Sequence, residues 1–273
     1  AALNLKTRKS VWADTAFAGT SKADGKPVPR EVRWSAPVVS PDGRLVVATA
    51  RSEDFKDRWI VAVDPDSGAS RVIDALHDEA WVREGGGGGP FGGSGMGWMP
   101  DGHSLWFLSE RDGYMHLYVV DAAQPGAAAS PRTSGPFEVA SAELSRDKSR
   151  FYLVTNEAHP GERHMYEMPA GGGPRSRLTA MAGSSIGEVS PDGAMIAFIQ
   201  STATRPPEVF VMPNRAGAPV QQVTTTPTEE WRSFRWIEPE VITYEAGDSK
   251  EFSARLYAPV TIVPKGGRAR PAV

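Results

Sequence analysis

Short apolar runs and turn-forming clusters alternate along the chain in a recurring order. "RLVVATA", "SLWFLSE", "RFYLVTN" and "MIAFIQS" are each followed, after a polar loop, by a second apolar run: "WIVAVD", "MHLYVVD", "HMYEMP" and "EVFVMP". The runs are short, rich in Val, Ile, Phe and Tyr, and bounded by Gly, Pro, Asp and Asn, which predicts strands. A turn sequence precedes each first run: "SPDG" at Ser40, "MPDG" at Met99, "SRDK" at Ser145 and "SPDG" at Ser190. Pro presets φ at one corner of such a turn and Gly accepts a positive φ at another. Each turn is therefore expected to join the innermost strand of a sheet to its second strand.

The four turns are spaced by 59, 46 and 45 residues. A period of roughly 40 to 50 residues is that of propeller blades, and the long first interval contains the insertion "EGGGGGPFGGSG", residues 84–95. The expected fold is all-β: a propeller of four-stranded antiparallel blades. Full blades are predicted at about 34–74, 92–134, 138–179 and 183–226. Residues 1–14 read as the last two strands of a partial blade and residues 230–246 as the start of another, in which "FRWIEPEVITYEAGD" takes the place of "MGWMPDGHSLWFLSE". The propeller region is thus expected over 1–246, with 247–273 a linker and exit strand. Joining the two partial blades would close a five-bladed ring; the reading adopted is an arc of a larger ring.

Composition narrows the function classes. With 273 residues, 40% hydrophobic, the chain has enough apolar surface for a sizeable core. A net charge of −3 offers no basic face for nucleic acid, and no apolar run approaches the roughly 18 residues of a membrane span. The chain has no cysteine, so disulfides and thiol chemistry are excluded. Cytoplasmic and periplasmic or extracellular locations are both compatible with that.

The blades resemble those of the prolyl oligopeptidase family of serine peptidases, and within it the dipeptidyl peptidase IV-like branch. The resemblance is carried by "SPDGRLVVATA", "GWMPDGHSLWFLSERDGYMHLYVVD" and "VSPDGAMIAFIQS", and by "ARLYAP…RPAV", which looks like the passage from propeller into an α/β-hydrolase domain. It implies a propeller that covers a catalytic domain and restricts access to peptides. The hydrolase domain is expected to be absent from this chain, so no catalytic residue is assigned and the chain alone is expected to be inactive. Implied partners are a peptide substrate and the hydrolase domain of the same protein. A stand-alone TolB-like propeller that binds a protein or peptide without catalysis is the alternative.

Candidate residues follow from these readings. Gly183-Ser184-Ser185-Ile186-Gly187 satisfies the G-x-S-x-G pattern of a nucleophile elbow, but "EVSPDG" follows where a helix is required, so Ser185 is read as a strand residue. "AWVRE", Ala80 to Glu84, resembles the segment that leads, in the dipeptidyl peptidase IV-like branch, into two glutamates gripping a substrate's amino terminus; here Gly85 to Gly89 follow Glu84. Successive antiparallel strands alternate direction, so the loop from His77 to Gly95 and the loop Ser109 to Met115 emerge on one side. Trp81, Glu84 and Arg111 are accordingly the substrate-facing candidates. "DPDSG" at Asp64 lacks the remaining ligands of a calcium loop, and His159 and His164 have no carboxylate or cysteine at ligand spacing. No metal or cofactor is expected. Trp98, Trp106 and Trp236 fall at blade positions that suggest core packing.

Overall fold

The computed structural model describes residues 2–3, 7–23, 26–83, 95–245, 247 and 251–257. Two compact units result: residues 1–157 with 165–177, and residues 158–164 with 178–273.

The first unit begins with two antiparallel hairpins, β1 (Ala2–Leu3) with β2 (Ser10–Val11), and β3 (Thr20–Ala23) with β4 (Lys26–Pro29). The first sheet contains β5 (Val32–Trp34), β6 (Val38–Val39), β7 (Val46–Ser52), β8 (Asp57–Val63) and β9 (Ser70–His77). Both β5 and β6 pair with β7, so this is a four-stranded blade whose inner strand is broken around Pro37. Pro supplies no N–H to a ladder, which makes a break there economical. The second sheet runs β10 (Met96–Trp98), β11 (Ser104–Ser109), β12 (His116–Asp121) and β13 (Ser130–Pro131). The third runs β14 (Val139–Leu144), β15 (Arg150–Thr155), β16 (His164–Pro169) and β17 (Ser176–Arg177).

In the second unit β18 (Ser184–Val189), β19 (Met195–Thr202), β20 (Arg205–Pro213) and β21 (Gln221–Gln222) form a fourth sheet in the same order. A short helix, α1 (Glu229–Ser233), and a hairpin of β22 (Glu240–Glu245) and β23 (Glu251–Leu256) follow. Among the described residues no helix is long and apolar enough to cross a membrane.

Two local results differ from the sequence reading. Residues 234–236 form no first strand, because the chain just before them is helical: Thr228 Oγ1 accepts from the Trp231 N–H, and Glu229 and Glu230 favour the positive end of the turn. Trp236 is consequently 46% exposed, stacked on Trp231, whereas Trp98 and Trp106 are buried. The strand Glu251–Leu256 pairs back along its whole length with Glu240–Glu245.

Within the first unit, apolar side chains from neighbouring sheets interlock. Leu105, Phe107 and Tyr118 of the second sheet pack with Val47 and Ile60 of the first. On the other face Trp106 and Leu117 pack with Phe151, Leu153 and Met168 of the third, and Trp106 meets Phe151 edge-on at 5.6 Å. Alternate residues of one strand therefore serve two different cores, which is why these strands read as continuous apolar runs.

The three recurring turns that begin with serine share one hydrogen-bond scheme. At Ser40 the hydroxyl donates to Asp42 Oδ1 (2.5 Å) and accepts from Leu45 N–H (2.9 Å), and Gly43 N–H closes the turn onto Ser40 O. The same contacts recur at Ser190 and Ser145. These hydrogen bonds hold Asp42 and Asp192 below the usual carboxylate range, and Asp147 at about 2. Gly43, Gly102 and Gly193 take φ of 73°, 77° and 74°, and in the third sheet Lys148 takes 58°. An L-residue pays roughly 1–2 kcal/mol for that conformation, partly offset by the greater unfolded-state freedom of Gly. Lys148→Gly is therefore expected to stabilise the protein by about 0.5 kcal/mol, read as a rise in the urea midpoint; a fall would refute the shared-turn account.

A second repeated device closes the outer strands. Near the start of the third strand of three sheets stand His116, His164 and Glu208, all buried, and two residues beyond each fourth strand stands a threonine. Gly135 O can only accept, so His116 Nε2 donates to it, and Nδ1 is filled by Thr133, whose Oγ1 also accepts Leu117 N–H. His164 holds Glu162 through Nε2 (2.8 Å) and faces Thr179 through Nδ1. Glu208 accepts from Thr224 and Thr226 hydroxyls and Thr226 N–H, and the Thr224 hydroxyl comes first among the contacts holding its carboxyl below the usual range.

Candidate functional site

Trp81 lies in the segment between β9 and β10 and is 65% exposed. Its backbone is pinned on both sides: Asp78 Oδ1 accepts from the N–H groups of Ala80 and Trp81, and the buried Val82 donates its N–H to Phe55 O at 2.7 Å. A large aromatic held out on a fixed backbone presents contact area at little ordering cost. Phe55, itself half-exposed with φ 63°, carries the Arg51 guanidinium 4.1 Å above its ring.

Two residues on, Arg83 ties three loops together. Its N–H and Nε donate to the two oxygens of Glu110 (2.6 and 3.0 Å), and Nη2 donates to Glu138 at 2.5 Å. Glu138 also accepts from Met115 N–H, and its own N–H donates to Asn156 Oδ1. Burial works against the charge of Arg83, but Glu138 and Glu110 outweigh it and raise its pKa. Because Arg83 and Glu110 touch, Trp81 and Arg111 stand at the same end of the sheets.

Arg111 is held from beneath. Its Nη2 reaches both oxygens of Asp74 (2.6 and 2.8 Å), its Nε donates to Ser109 Oγ, and its guanidinium lies 4.6 Å from the Tyr118 ring centroid. On the inner side Arg58, with 7% of its side chain exposed, donates to the same Asp74 and to Ser109. Burial lowers the Arg58 pKa and Asp74 opposes that. Burial, reinforced by Asp112, pushes the Tyr118 hydroxyl up to about 12. Arg111 is thus a part-exposed cation with a fixed orientation. Glu84, and with it the glycines 85 to 89, lies outside the described residues.

The residues that organise this end, Arg58, Asp74, Arg83, Glu110 and Glu138, were not singled out from the sequence. Arg83 and Glu110 stand next to candidates that were, in "WVRE" and "SERDG", but only the fold brings them together.

His77, at the end of β9, sits between Asp57 (2.7 Å) and Glu79 (3.4 Å). The hydrogen bond to Asp57, then that to Glu79, raises its pKa above 6.5. A raised folded-state pKa means that the contribution is complete below the unfolded value and disappears as pH rises through the folded one. NMR titration should give a His77 midpoint above 6.5 that falls in Asp57→Asn; an unchanged midpoint would show that the pair does not form.

Ser185 has no access to solvent. It lies in β18 opposite Gln200, its Oγ has no hydrogen-bond partner among the described residues, and its N–H donates to Arg163 O. The nearest sequence neighbour of Arg163 with a base, His164, has both ring nitrogens engaged. The glycines of the pattern have a steric origin. A Cβ on Gly187 would lie 2.1 Å from Ala197 O, and one on Gly183 2.2 Å from Ser201 O. His159 Nδ1 accepts the Gly161 N–H.

The profile of the family described as "Dipeptidyl peptidase IV (DPP IV) N-terminal region" matches residues 3–226. Among solved structures, the crystal structure of Porphyromonas gingivalis dipeptidyl peptidase 4 resembles this chain with a TM-score of 0.64 at 17% identity. That match covers 88% of this chain and 33% of the other, so this chain spans about a third of the length of its structural relative. At this identity the likeness speaks for the fold, which agrees with the four-stranded antiparallel sheets. By the match over residues 3–226, the chain belongs to the dipeptidyl peptidase IV N-terminal region family.

Proposed function

We propose that this chain is the substrate-admitting and docking propeller of a serine peptidase whose catalytic hydrolase domain lies elsewhere in the same protein. The observation that carries the docking role is the end of the first unit built around Trp81: an exposed aromatic on a pinned backbone, at the same end of the sheets as the oriented cation Arg111. Family membership supplies the peptidase context. The indole offers stacking area to a peptide, and Arg111, fixed by Asp74, offers hydrogen bonds to peptide carbonyls. Catalysis by Ser185 has no support, since a buried hydroxyl without a base is neither reachable nor activated.

In the longer peptidase that this reading requires, Trp81→Ala and Glu84→Ala are each expected to change the ratio of kcat/KM between free-amino and N-blocked peptides by about fivefold, with little change in thermal stability. Unchanged ratios in both variants would remove this end of the sheets from substrate recognition. The chain by itself is expected to show no peptide hydrolysis and no fluorophosphonate labelling; stoichiometric labelling of Ser185 would overturn the reading.

A further inference from the structure

Phe55 stands in the turn between β7 and β8, 41% exposed and with a φ of 63°. Its N–H closes the turn onto Ser52 O at 3.1 Å. The corresponding turn of the second sheet, between β11 and β12, is closed in the same way by Gly113 N–H onto Glu110 O at 3.0 Å, and there Gly113 takes a φ of 96°. Glycine therefore serves the backbone of this turn, whereas bulky L-residues rarely adopt a left-handed conformation. Neither the turn nor burial in a core accounts for an aromatic at this position.

The turn is fixed against the segment that carries Trp81. Phe55 O accepts the Val82 N–H at 2.7 Å, so the Phe55 carbonyl abuts the peptide joining Trp81 to Val82. Lys56 O accepts the Asp78 N–H at 2.9 Å, and Lys56 Nζ meets Glu79 at 3.5 Å. The acids of the turn are already engaged: Glu53 accepts from Arg33 at 2.8 and 3.0 Å, and Asp54 accepts from the Ser52 hydroxyl at 2.6 Å and from Arg30 at 3.3 Å. The Arg51 guanidinium, 4.1 Å from the ring centroid, supports the ring of Phe55. What Phe55 presents to a ligand is apolar ring surface. A side chain that covers it gains contact, and an apolar side chain gives up no favourable hydration in doing so.

We infer that Phe55 is a further specificity-determining residue, which takes an apolar side chain of the peptide docking at Trp81. This role rests on the reading of the Trp81 end as the docking surface of a peptidase.

The test is kcat/KM in the longer peptidase on paired peptides that differ in one residue, Leu or Ser, placed in turn at each position on either side of the cleaved bond. At one position the unaltered protein is expected to prefer Leu, and Phe55→Gly to lower that Leu-to-Ser ratio about fivefold through loss on the Leu peptide. Phe55→Asn, which tolerates the same backbone, should act alike, and Phe55→Tyr should keep most of the preference. The urea midpoint of Phe55→Gly should stay near that of the unaltered protein, since glycine suits the turn. A ratio unchanged at every position, equal losses on both peptides, or a clear fall in the midpoint of both the Gly and Asn variants would overturn the assignment. Trp81→Ala separates the two ways of failing. If it changes the ratio between free-amino and N-blocked peptides while Phe55→Gly leaves every Leu-to-Ser ratio intact, the docking surface stands and the role of Phe55 falls; if neither ratio moves, both fall.

Discussion

Asp74→Ala is expected to destabilise the protein by about 3–5 kcal/mol, because it leaves a buried guanidinium without its counter-charge. Arg58 and Asp74 each have 7% of their side chains exposed and meet at 2.9 Å, and Arg111 adds a second guanidinium on the same carboxylate. Removing the carboxylate leaves two cations facing one another across Ser109. Arg58 cannot relieve the strain by giving up a proton in the accessible pH range. Urea unfolding followed by tryptophan fluorescence measures the loss. A cost below about 1 kcal/mol would mean that the pair is solvated rather than buried. Replacing both partners with apolar residues, Arg58→Met with Asp74→Leu, should recover much of the stability, since the desolvation of both charges disappears with them.

Gly187→Ala is expected to cost about 2–3 kcal/mol, near the top of the range for overpacking, because the obstacle is backbone. The new Cβ would lie 2.1 Å from Ala197 O and 2.5 Å from Phe198 Cα, atoms of β19 that move only if the strand pairing moves. Gly193→Ala is the matched control. Its Cβ meets nothing within 4 Å, so only its φ of 74° opposes the change, at a cost of about 1 kcal/mol. The order of the two urea midpoints decides the matter. If Gly193→Ala proves the more damaging, the second glycine of G-x-S-x-G is not explained by strand packing, and a functional reason for it must be sought again.

Much of the strand framework was legible because its signals are local. The turn at Ser190 needs only Ser, Asp and Gly at fixed offsets to satisfy its own hydrogen bonds, and the apolar run Met195–Thr202 has to follow it as a strand. The hairpin Thr20–Pro29 was left unassigned by the repeat, because its strands, "TSKA" and "KPVP", are rich in Lys, Ala and Pro, which are depleted in strands. Trp236 shows where the repeat misleads. Its alignment with Trp98 suggested a core role, but the helix set by Thr228, Glu229 and Glu230 takes the place of a first strand and leaves the indole half-exposed.

Within the candidate site, Trp81 and Arg111 were visible as residues on loops leaving one end of a blade, since strand alternation alone decides which loops share an end. Their surroundings were not. Arg83 reaches Glu110 and Glu138 across 27 and 55 residues, and Arg58 reaches Ser109 across 51. Such contacts depend on how neighbouring sheets stack. The sequence by itself determined the strands and tight turns of the four repeats and their order, because period, turn chemistry and apolar patterning act over a few residues. Only the tertiary structure decided which charges are buried together and that Ser185 is sealed inside a sheet. Those outcomes depend on side chains distant in sequence competing for the same space and the same hydrogen bonds, which no local pattern records.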